Sequence, residues 1–199
     1  MTRYPKKHKE ETRQAIVTIA MAAMRREGIE GARVSDVMSE AGLTHGGFYG
    51  HFTSKDDLIA EACAAGVIAA REMLVDVATR ASPNERVRAC LDAYLTRDRR
   101  DAAGCTLATL GGEIARQPAQ VRRRFTKELA ESLEALAPLM PALDEERRLD
   151  QVLALVSSMV GAMMLSRAVT SRRLSDRILE IGRRAMGGAV ERAGRAEDG

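Results

Sequence analysis

Aromatic residues and proline are scarce in this chain. Its 199 residues include no Trp, three Tyr, three Phe and five Pro. Aromatic residues favour strands and proline interrupts helices, so their scarcity favours helices nearly everywhere. Hydrophobic residues make up 45% of the chain and charged residues 30%, which indicates a globular protein and not a disordered one. No segment reads as a strand, and we expect an all-α fold.

Features of exported and membrane-spanning proteins are also missing. The cysteines are only three, Cys63, Cys90 and Cys105, without paired spacing, and no apolar run near the N-terminus suggests export. The uncharged run of residues 152–166 is too short to cross a bilayer. We therefore expect a reduced cytoplasmic setting and no membrane partner.

Patterns typical of enzymes and metal sites are absent as well. The sequence holds no Glu-x-x-His pair, no phosphate-binding loop and no recognisable nucleophile–base arrangement. His45 and His51 are of a residue type that binds metals, but no cysteine lies near them in the sequence. These observations predict a protein that is not an enzyme and uses no metal or cofactor.

The net charge of +3 is too small for indiscriminate binding of acidic partners, but its distribution is uneven. Residues 1–9 carry four basic residues and no acidic one: Arg3, Lys6, Lys7 and Lys9. Such an arm can follow a phosphate backbone, although solvated basic tails are also common.

Hydrophobic periodicity predicts about nine helices. They cover residues 9–27, 34–41, 44–52, a long fourth helix from Ser54, a fifth opened by Ser82-Pro83, residues 104–117, 118–138 and 144–169, and a last helix from about Leu174. Gly28 and Gly42 end the first two helices, while Ser54 and Asp144 cap two long ones. We predict a head of residues 1–54, a body of residues 55–192 and a frayed tail of residues 193–199.

Residues 34–52 have the dimensions of a helix-turn-helix unit. Gly42 permits the tight turn between its two short helices. Phe48 and Phe52, four residues apart, share one face of the second helix, which leaves Tyr49 and His45 on the other. In such units the second helix enters the major groove of DNA. The pattern therefore predicts a core-facing side and a DNA-facing side.

The residues from Gly42 to Leu58 resemble the DNA-binding signature of TetR/AcrR-family transcriptional regulators. The matching run is Gly42-Leu43-Thr44-His45-Gly46-Gly47-Phe48-Tyr49-x-His51-Phe52-x-Ser54-Lys55-x-x-Leu58. Upstream, Thr12-Arg13, Ile16 and Gly28 also fit the family pattern. The close resemblance covers about residues 9–60, and beyond it only the order of helices is similar. It implies a helix-turn-helix head joined by a long fourth helix to a helical effector-binding and dimerisation bundle.

The resemblance also implies a set of DNA-contacting residues: Arg33, Ser35, Thr44, His45, Gly46, Gly47, Tyr49, His51 and Lys55. Thr44 and His45 open the recognition helix, and Tyr49 and Lys55 match phosphate-binding positions. Arg33 stands where the family favours Ser or Thr, so it would contact phosphate and leave Ser35 to cap the second helix. Gly50 replaces a usually larger residue. With Gly46 and Gly47 it weakens the recognition helix, which we expect to be loose until DNA orders it.

The body is predicted to hold an effector site and a dimer interface. Candidate effector-sensing residues are Cys105, Met73, Tyr94 and Glu113. Cys105 fits the position of a reactive cysteine in some TetR-type regulators that sense electrophiles, but a small buried core residue explains it too. Core packing also explains Met73, and a solvated helix position explains Glu113 equally well.

Small residues among aliphatic ones in the helix of residues 144–169 suggest close packing against a partner helix, with intrachain packing as the alternative. The predicted interface comprises Val156, Ser157, Val160, Gly161, Met164, Ile178 and Ile181. Together these features predict a homodimeric repressor that binds a palindromic double-stranded DNA operator and is released by a small apolar or electrophilic effector. An activator of the same fold, a regulator without a small ligand, and an α-helical enzyme or carrier remain alternatives.

Overall fold

The computed structural model describes residues 6–102, 104–140 and 144–195, with the backbone path alone for residue 6 and residues 186–195. These ranges hold nine α-helices and three short 3₁₀ segments and no strand, so the expected all-α class is confirmed. Arg3 of the basic arm, Pro141 and the end of the predicted tail, residues 196–199, lie outside the described residues.

The helices are α1 (Lys6–Gly31), α2 (Val34–Glu40), α3 (Lys55–Arg80), α4 (Arg86–Tyr94), α5 (Arg97–Asp101), α6 (Thr106–Ile114), α7 (Ala119–Leu136), α8 (Glu145–Ala168) and α9 (Arg172–Arg195). The 3₁₀ segments are His45–Gly50, Pro83–Glu85 and Ala137–Leu139. The first of these, His45–Gly50, is called the recognition segment below.

Glycines and capping residues delimit the helices as the sequence predicts. Gly28 (φ +82°) interrupts α1 and Gly42 (φ +72°) ends the turn after α2, both in the left-handed region that favours glycine. At the start of α3, the Ser54 hydroxyl accepts a hydrogen bond from the Asp57 backbone N–H, and the Asp57 carboxylate accepts one from the Thr53 backbone N–H. Asp144 caps α8 in the same way.

Three predictions of local structure were wrong. The recognition segment is 3₁₀, not α-helical, and three of its six residues are glycines, each costing about 1 kcal/mol of helix propensity. Arg33 occupies the N-cap position of α2, so Ser35 lies within the helix and bonds the Asp36 carboxylate without capping. The last helix continues to Arg195, beyond the predicted end near residue 192.

The described side chains form two hydrophobic cores. The head core joins α1, α2, the recognition segment and the first part of α3, and includes Ile16, Met38 and Phe52. The body core joins α4, α8 and the second part of α3, and includes Leu91 and Met159. The long helix α3 contributes residues to both cores, and α7 packs against it, so α3 links the head to the body.

Helix α8 is long and apolar enough to cross a membrane by length and composition alone, which differs from the expectation based on its uncharged run. Only 28% of its most apolar window is buried within the chain. Its N-terminal third carries charged residues, and one face, with Val152, Leu155, Met159 and Met163, packs on the body core. One such helix is weak evidence for a membrane span, and its exposed apolar face needs another explanation.

Candidate nucleic-acid interface

The recognition segment separates its aromatic residues between core and solvent. Phe48 and Phe52 are buried in the head core, whereas Tyr49 is 71% exposed. The Tyr49 ring meets Phe48 edge-on at 5.3 Å between centroids, and Phe48 stacks on Phe52 at 5.4 Å. Such aromatic pairs fix ring orientation and contribute about 0.5–1.5 kcal/mol each. The segment therefore holds an exposed tyrosine on a rigid aromatic base.

Arg13 of α1 completes this arrangement from behind. Its guanidinium lies 4.3 Å from the centroid of the Phe52 ring. One nitrogen donates to the His51 carbonyl at 2.9 Å, and another donates to the Glu61 carboxylate on α3. Because one planar cation contacts α1, α3 and the end of the recognition segment, it positions all three. In the sequence Arg13 stands out only as part of the family pattern, because its partners His51 and Glu61 are 38 and 48 residues away.

The polar residues predicted to contact DNA differ in their exposure. Arg33, Ser35, Thr44, His45 and Gly46 are exposed, while Gly47, His51 and Lys55 are half-buried. Thr44 stands at the N-cap position of the recognition segment, but its hydroxyl makes no capping bond. Its hydroxyl is thus not committed to the segment's own backbone.

Lys55 and His51, which are predicted to contact phosphate, each lie near other charged groups of the chain. The Lys55 ammonium lies 3.5 Å from the Glu30 carboxylate, an exposed pair of low net stability. The pKa of His51 is lowered because burial disfavours the imidazolium, and the charges of Lys9 and Arg13 add to the effect. His51 Nδ1 is buried without a hydrogen-bond partner. A neutral His51 ring therefore has one N–H to offer.

The three glycines of the recognition segment differ in how much space surrounds them. A Cβ on Gly46 or Gly50 would meet no atom within 4 Å, whereas one on Gly47 would lie 3.7 Å from the Met38 methyl carbon and the Thr44 hydroxyl. Open space around Gly46 and Gly50 is consistent with close approach of a large partner surface, and packing within the chain does not require glycine at either position.

The four predicted effector-sensing residues do not form one site. Tyr94 and Cys105 are together, with the Tyr94 hydroxyl donating to the Cys105 sulfur at 2.7 Å and the Arg99 guanidinium 5.4 Å from the Tyr94 ring. Burial and the neighbouring Cys105 raise the pKa of Tyr94. Met73 is half-buried against the body core. Glu113 faces the head, where its carboxylate accepts a hydrogen bond from the Ile29 backbone N–H at 2.7 Å.

The apolar interior of the body is closed in this conformation. Its cavity, of about 10 Å³, has room for at most one water molecule. The lining residues are Leu74, Cys90, Leu136, Leu139, Met140, Val152, Leu155, Val156 and Met159. Cys105 is 2% exposed, so neither an apolar ligand nor a reagent reaches the interior without movement of the helices. Within the described ranges no cluster of His, Cys, Asp or Glu could hold a metal ion.

The predicted dimer residues lie on one outer surface of α8 and α9. Ser157, Met164 and Ile181 are exposed, and Val156, Val160, Gly161 and Ile178 are half-buried. The same surface carries Leu153, Leu165 and Leu174, each exposed by more than 40% and missed in the sequence. Apart from Tyr49, all exposed large hydrophobic side chains of the described residues lie on these two helices. We call this surface the α8–α9 face.

Comparison with known proteins agrees with this architecture. Residues 16–62 match the family model of bacterial regulatory proteins of the tetR family. Over 61 residues the chain is 34% identical to the HTH-type transcriptional regulator AcrR of Shigella flexneri, covering 31% of this chain and 28% of AcrR. The chain thus spans less than a third of the length of this curated relative.

Solved structures extend the likeness to the whole fold. A TetR transcriptional regulator from Chloroflexus aurantiacus superimposes with a TM-score of 0.73 at 24% identity, over 93% of this chain and 96% of that one. FadR of Bacillus subtilis, solved in complex with stearoyl-CoA, gives 0.58 at 17% identity, over 85% and 96%. Residues 16–62 thus match the DNA-binding domain of tetR-family regulatory proteins, and the chain as a whole shares the fold of solved TetR-family regulators.

Proposed function

We propose that the chain works in the cytoplasm as a homodimeric repressor that binds a palindromic operator and is released by a small effector. The observation that carries the DNA-binding part is the exposure of Tyr49 above the buried pair Phe48 and Phe52. A tyrosine held this way can donate its hydroxyl to a phosphate oxygen without moving the segment. Thr44 and His45, at the start of the same segment, face the bases or phosphates beside it.

The α8–α9 face supports the dimer. Leu165, Met164 and Ile181 are each at least 50% exposed, and exposed apolar side chains gathered on two neighbouring helices are typical of an interaction site. A second copy of the same two helices would bury it in a four-helix interface. Because an operator with two-fold symmetry needs two recognition elements about 34–36 Å apart, the dimer also supplies the second DNA-binding head.

The effector is proposed to act on the body around Tyr94 and Cys105. The closed interior means that an apolar ligand must stabilise a second, more open conformer, so it would shift the population of separations between the two heads. An electrophile would instead modify the Cys105 sulfur, which accepts the Tyr94 hydrogen bond. Cys105→Ser keeps the small buried side chain and removes the nucleophilic sulfur. Release of DNA by a quinone or an aldehyde should then be lost, and unchanged release would exclude the thiol.

The experiment that tests the DNA-binding function uses the intergenic DNA beside the protein's own gene. Fluorescence anisotropy should show salt-dependent binding by the wild type. Tyr49→Phe removes only the hydroxyl and should weaken binding about tenfold, as expected for one missing hydrogen bond to a charged group. Because the contact is to the backbone, the loss should be similar on operators of different sequence. Absence of salt-dependent binding by the wild type, or a loss confined to one base position, would contradict the proposal.

A further inference from the structure

Helix α6 is shared between the two hydrophobic cores. Leu110 and Ile114 on its C-terminal half belong to the head core. Cys105, at its N-cap position, and Ala108 belong to the body core. Because the same nine-residue helix packs on both cores, a displacement of its body end would alter its contacts in the head.

The head end of α6 makes one specific polar contact. The Glu113 carboxylate accepts the hydrogen bond from the Ile29 backbone N–H at 2.7 Å, part-buried between α6 and α1. The preceding residue, Gly28, leaves room for it. A Cβ at Gly28 would lie 3.1 Å from both carboxylate oxygens. Two features therefore favour glycine at position 28: its φ of +82°, and the space that the missing side chain leaves for the Glu113 carboxylate.

The first turn of α6, at its body end, also packs closely against a glycine. A Cβ at Gly66 of α3 would lie 2.0 Å from the Thr106 hydroxyl, so only glycine lets the first turn of α6 approach α3 this closely. Just before α6 begins, the Arg25 guanidinium of α1 donates to the Gly104 carbonyl at 3.4 Å. The start of α6 is therefore held by both α3 and α1, and its end is held by α1 through the Glu113 carboxylate.

We propose that Glu113 is a positioning residue that couples α6 to the DNA-binding head. By holding the Ile29 N–H it fixes the single helical turn Ile29–Gly31, which leads directly into α2, the first helix of the helix-turn-helix unit. A movement of α6 in the body withdraws the acceptor, leaves a buried N–H unpaired and loosens this turn. The consequence for operator release rests on the proposed function, whereas the coupling itself is a property of the free protein.

Amide hydrogen exchange of the DNA-free protein tests the coupling. In Glu113→Ala, exchange across residues 29–40 should accelerate about tenfold or more, the effect of removing a charged acceptor from a buried N–H. Core amides of α8 should keep their wild-type rates. Glu113→Gln retains a side-chain oxygen in the same place, and its exchange across residues 29–40 should stay within about threefold of wild type. Glu134→Ala, which removes an exposed carboxylate from α7, is the matched control.

The outcomes separate coupling from general stability. Wild-type exchange across residues 29–40 in Glu113→Ala would overturn the proposal, and so would an acceleration spread equally over α2 and α8. Glu113→Gln as damaging as Glu113→Ala would also overturn it, since an oxygen acceptor would then not suffice. A wild-type protein that fails to bind its intergenic DNA would contradict the regulator function while leaving the exchange result to decide the coupling.

Discussion

The head and the body of this protein differ in how much apolar surface they leave exposed. In the head, Phe48 and Phe52 are buried, the Arg13 guanidinium stacks on the Phe52 ring, and Tyr49 is the one exposed large hydrophobic side chain among the described residues. The body also has directional contacts, such as the hydrogen bonds of the buried Arg100 to Ser175 and Asp176, but it leaves the α8–α9 face exposed around a nearly filled interior. The residues proposed to contact DNA are therefore placed by contacts within the chain, whereas the body has a surface that a partner would complete.

The largest effect should come from breaking the α8–α9 face. Met164→Asp places a charge in the centre of the proposed interface, where a buried unpaired charge costs several kcal/mol. Because Met164 is 51% exposed in the single chain, the subunit should still fold. Analytical ultracentrifugation should show a monomer, and operator binding should fall at least a hundredfold.

Gln120→Asp adds the same charge at an exposed position of α7 and should remain dimeric. If Met164→Asp is still a dimer at micromolar concentration, the exposed apolar residues serve another partner. The contrast between a self-sufficient head and a body completed by a second copy would then be wrong.

A smaller loss of operator affinity is expected from substituting Arg13, whose contacts support the head. Arg13→Met keeps most of the packing volume but removes the hydrogen bonds to the His51 carbonyl and to Glu61, whose pKa burial already raises. We expect the free energy of unfolding to fall by about 1–3 kcal/mol and operator affinity to fall with it.

Arg13→Lys retains the charge without the planar stacking surface and should lie between Arg13→Met and wild type. Urea unfolding combined with anisotropy on the same samples measures both quantities. Reduced affinity with unchanged stability would mean that Arg13 touches DNA directly.

The features that the sequence predicts are local ones, and those that it does not predict depend on contacts between distant residues. The motif of residues 42–58 is contiguous, so its glycine turn, the Ser54 cap and the burial of Phe48 beside the exposed Tyr49 could be predicted from local spacing. Arg13 and Glu113 could not be placed, because their partners are tens of residues distant and only packing brings them together. Glu113 was expected at the effector site and instead contacts the head.

The recognition segment shows a second limit. Its three glycines predict a weakened helix, but propensity alone does not distinguish a weak α-helix from the 3₁₀ helix that forms. Likewise the spacing of small residues on α8 indicates a packing surface, while the exposure of Leu153, Leu165 and Leu174 is visible only once the body core is assembled.

Two single glycine substitutions should change the free energy of unfolding in opposite directions, by under about 1 kcal/mol at Gly50 and by more at Gly42. Gly50→Ala fits open space and should stabilise the recognition segment by about 0.5–1 kcal/mol. Gly42→Ala also meets no atom within 4 Å, but its φ of +72° costs a side chain about 1–2 kcal/mol. Thermal unfolding should therefore move in opposite directions. Equal losses would show that the segment needs its glycines for more than contact with DNA.

The smallest effect concerns pH. Because the folded pKa of His51 lies below its ordinary value, the unfolded chain takes up this proton first as the pH falls. The free energy of unfolding should thus decrease as the pH drops below about 6.5, and His51→Gln should make this decrease shallower. Urea titrations at several pH values measure this decrease, with His45→Gln, at the exposed histidine that begins the recognition segment, as control. An identical pH profile in wild type and His51→Gln would contradict the assigned environment.

The most direct test of a preformed phosphate-binding head on a two-fold dimer is the salt dependence of binding to the intergenic DNA. The logarithm of the binding constant should fall linearly with the logarithm of salt concentration, and Lys55→Gln should reduce the slope by about one for each phosphate that the lysine no longer neutralises. Two heads per operator predict a reduction of about two. A slope unchanged by Lys55→Gln would contradict its phosphate contact, and a reduction of about one would contradict the dimer on DNA.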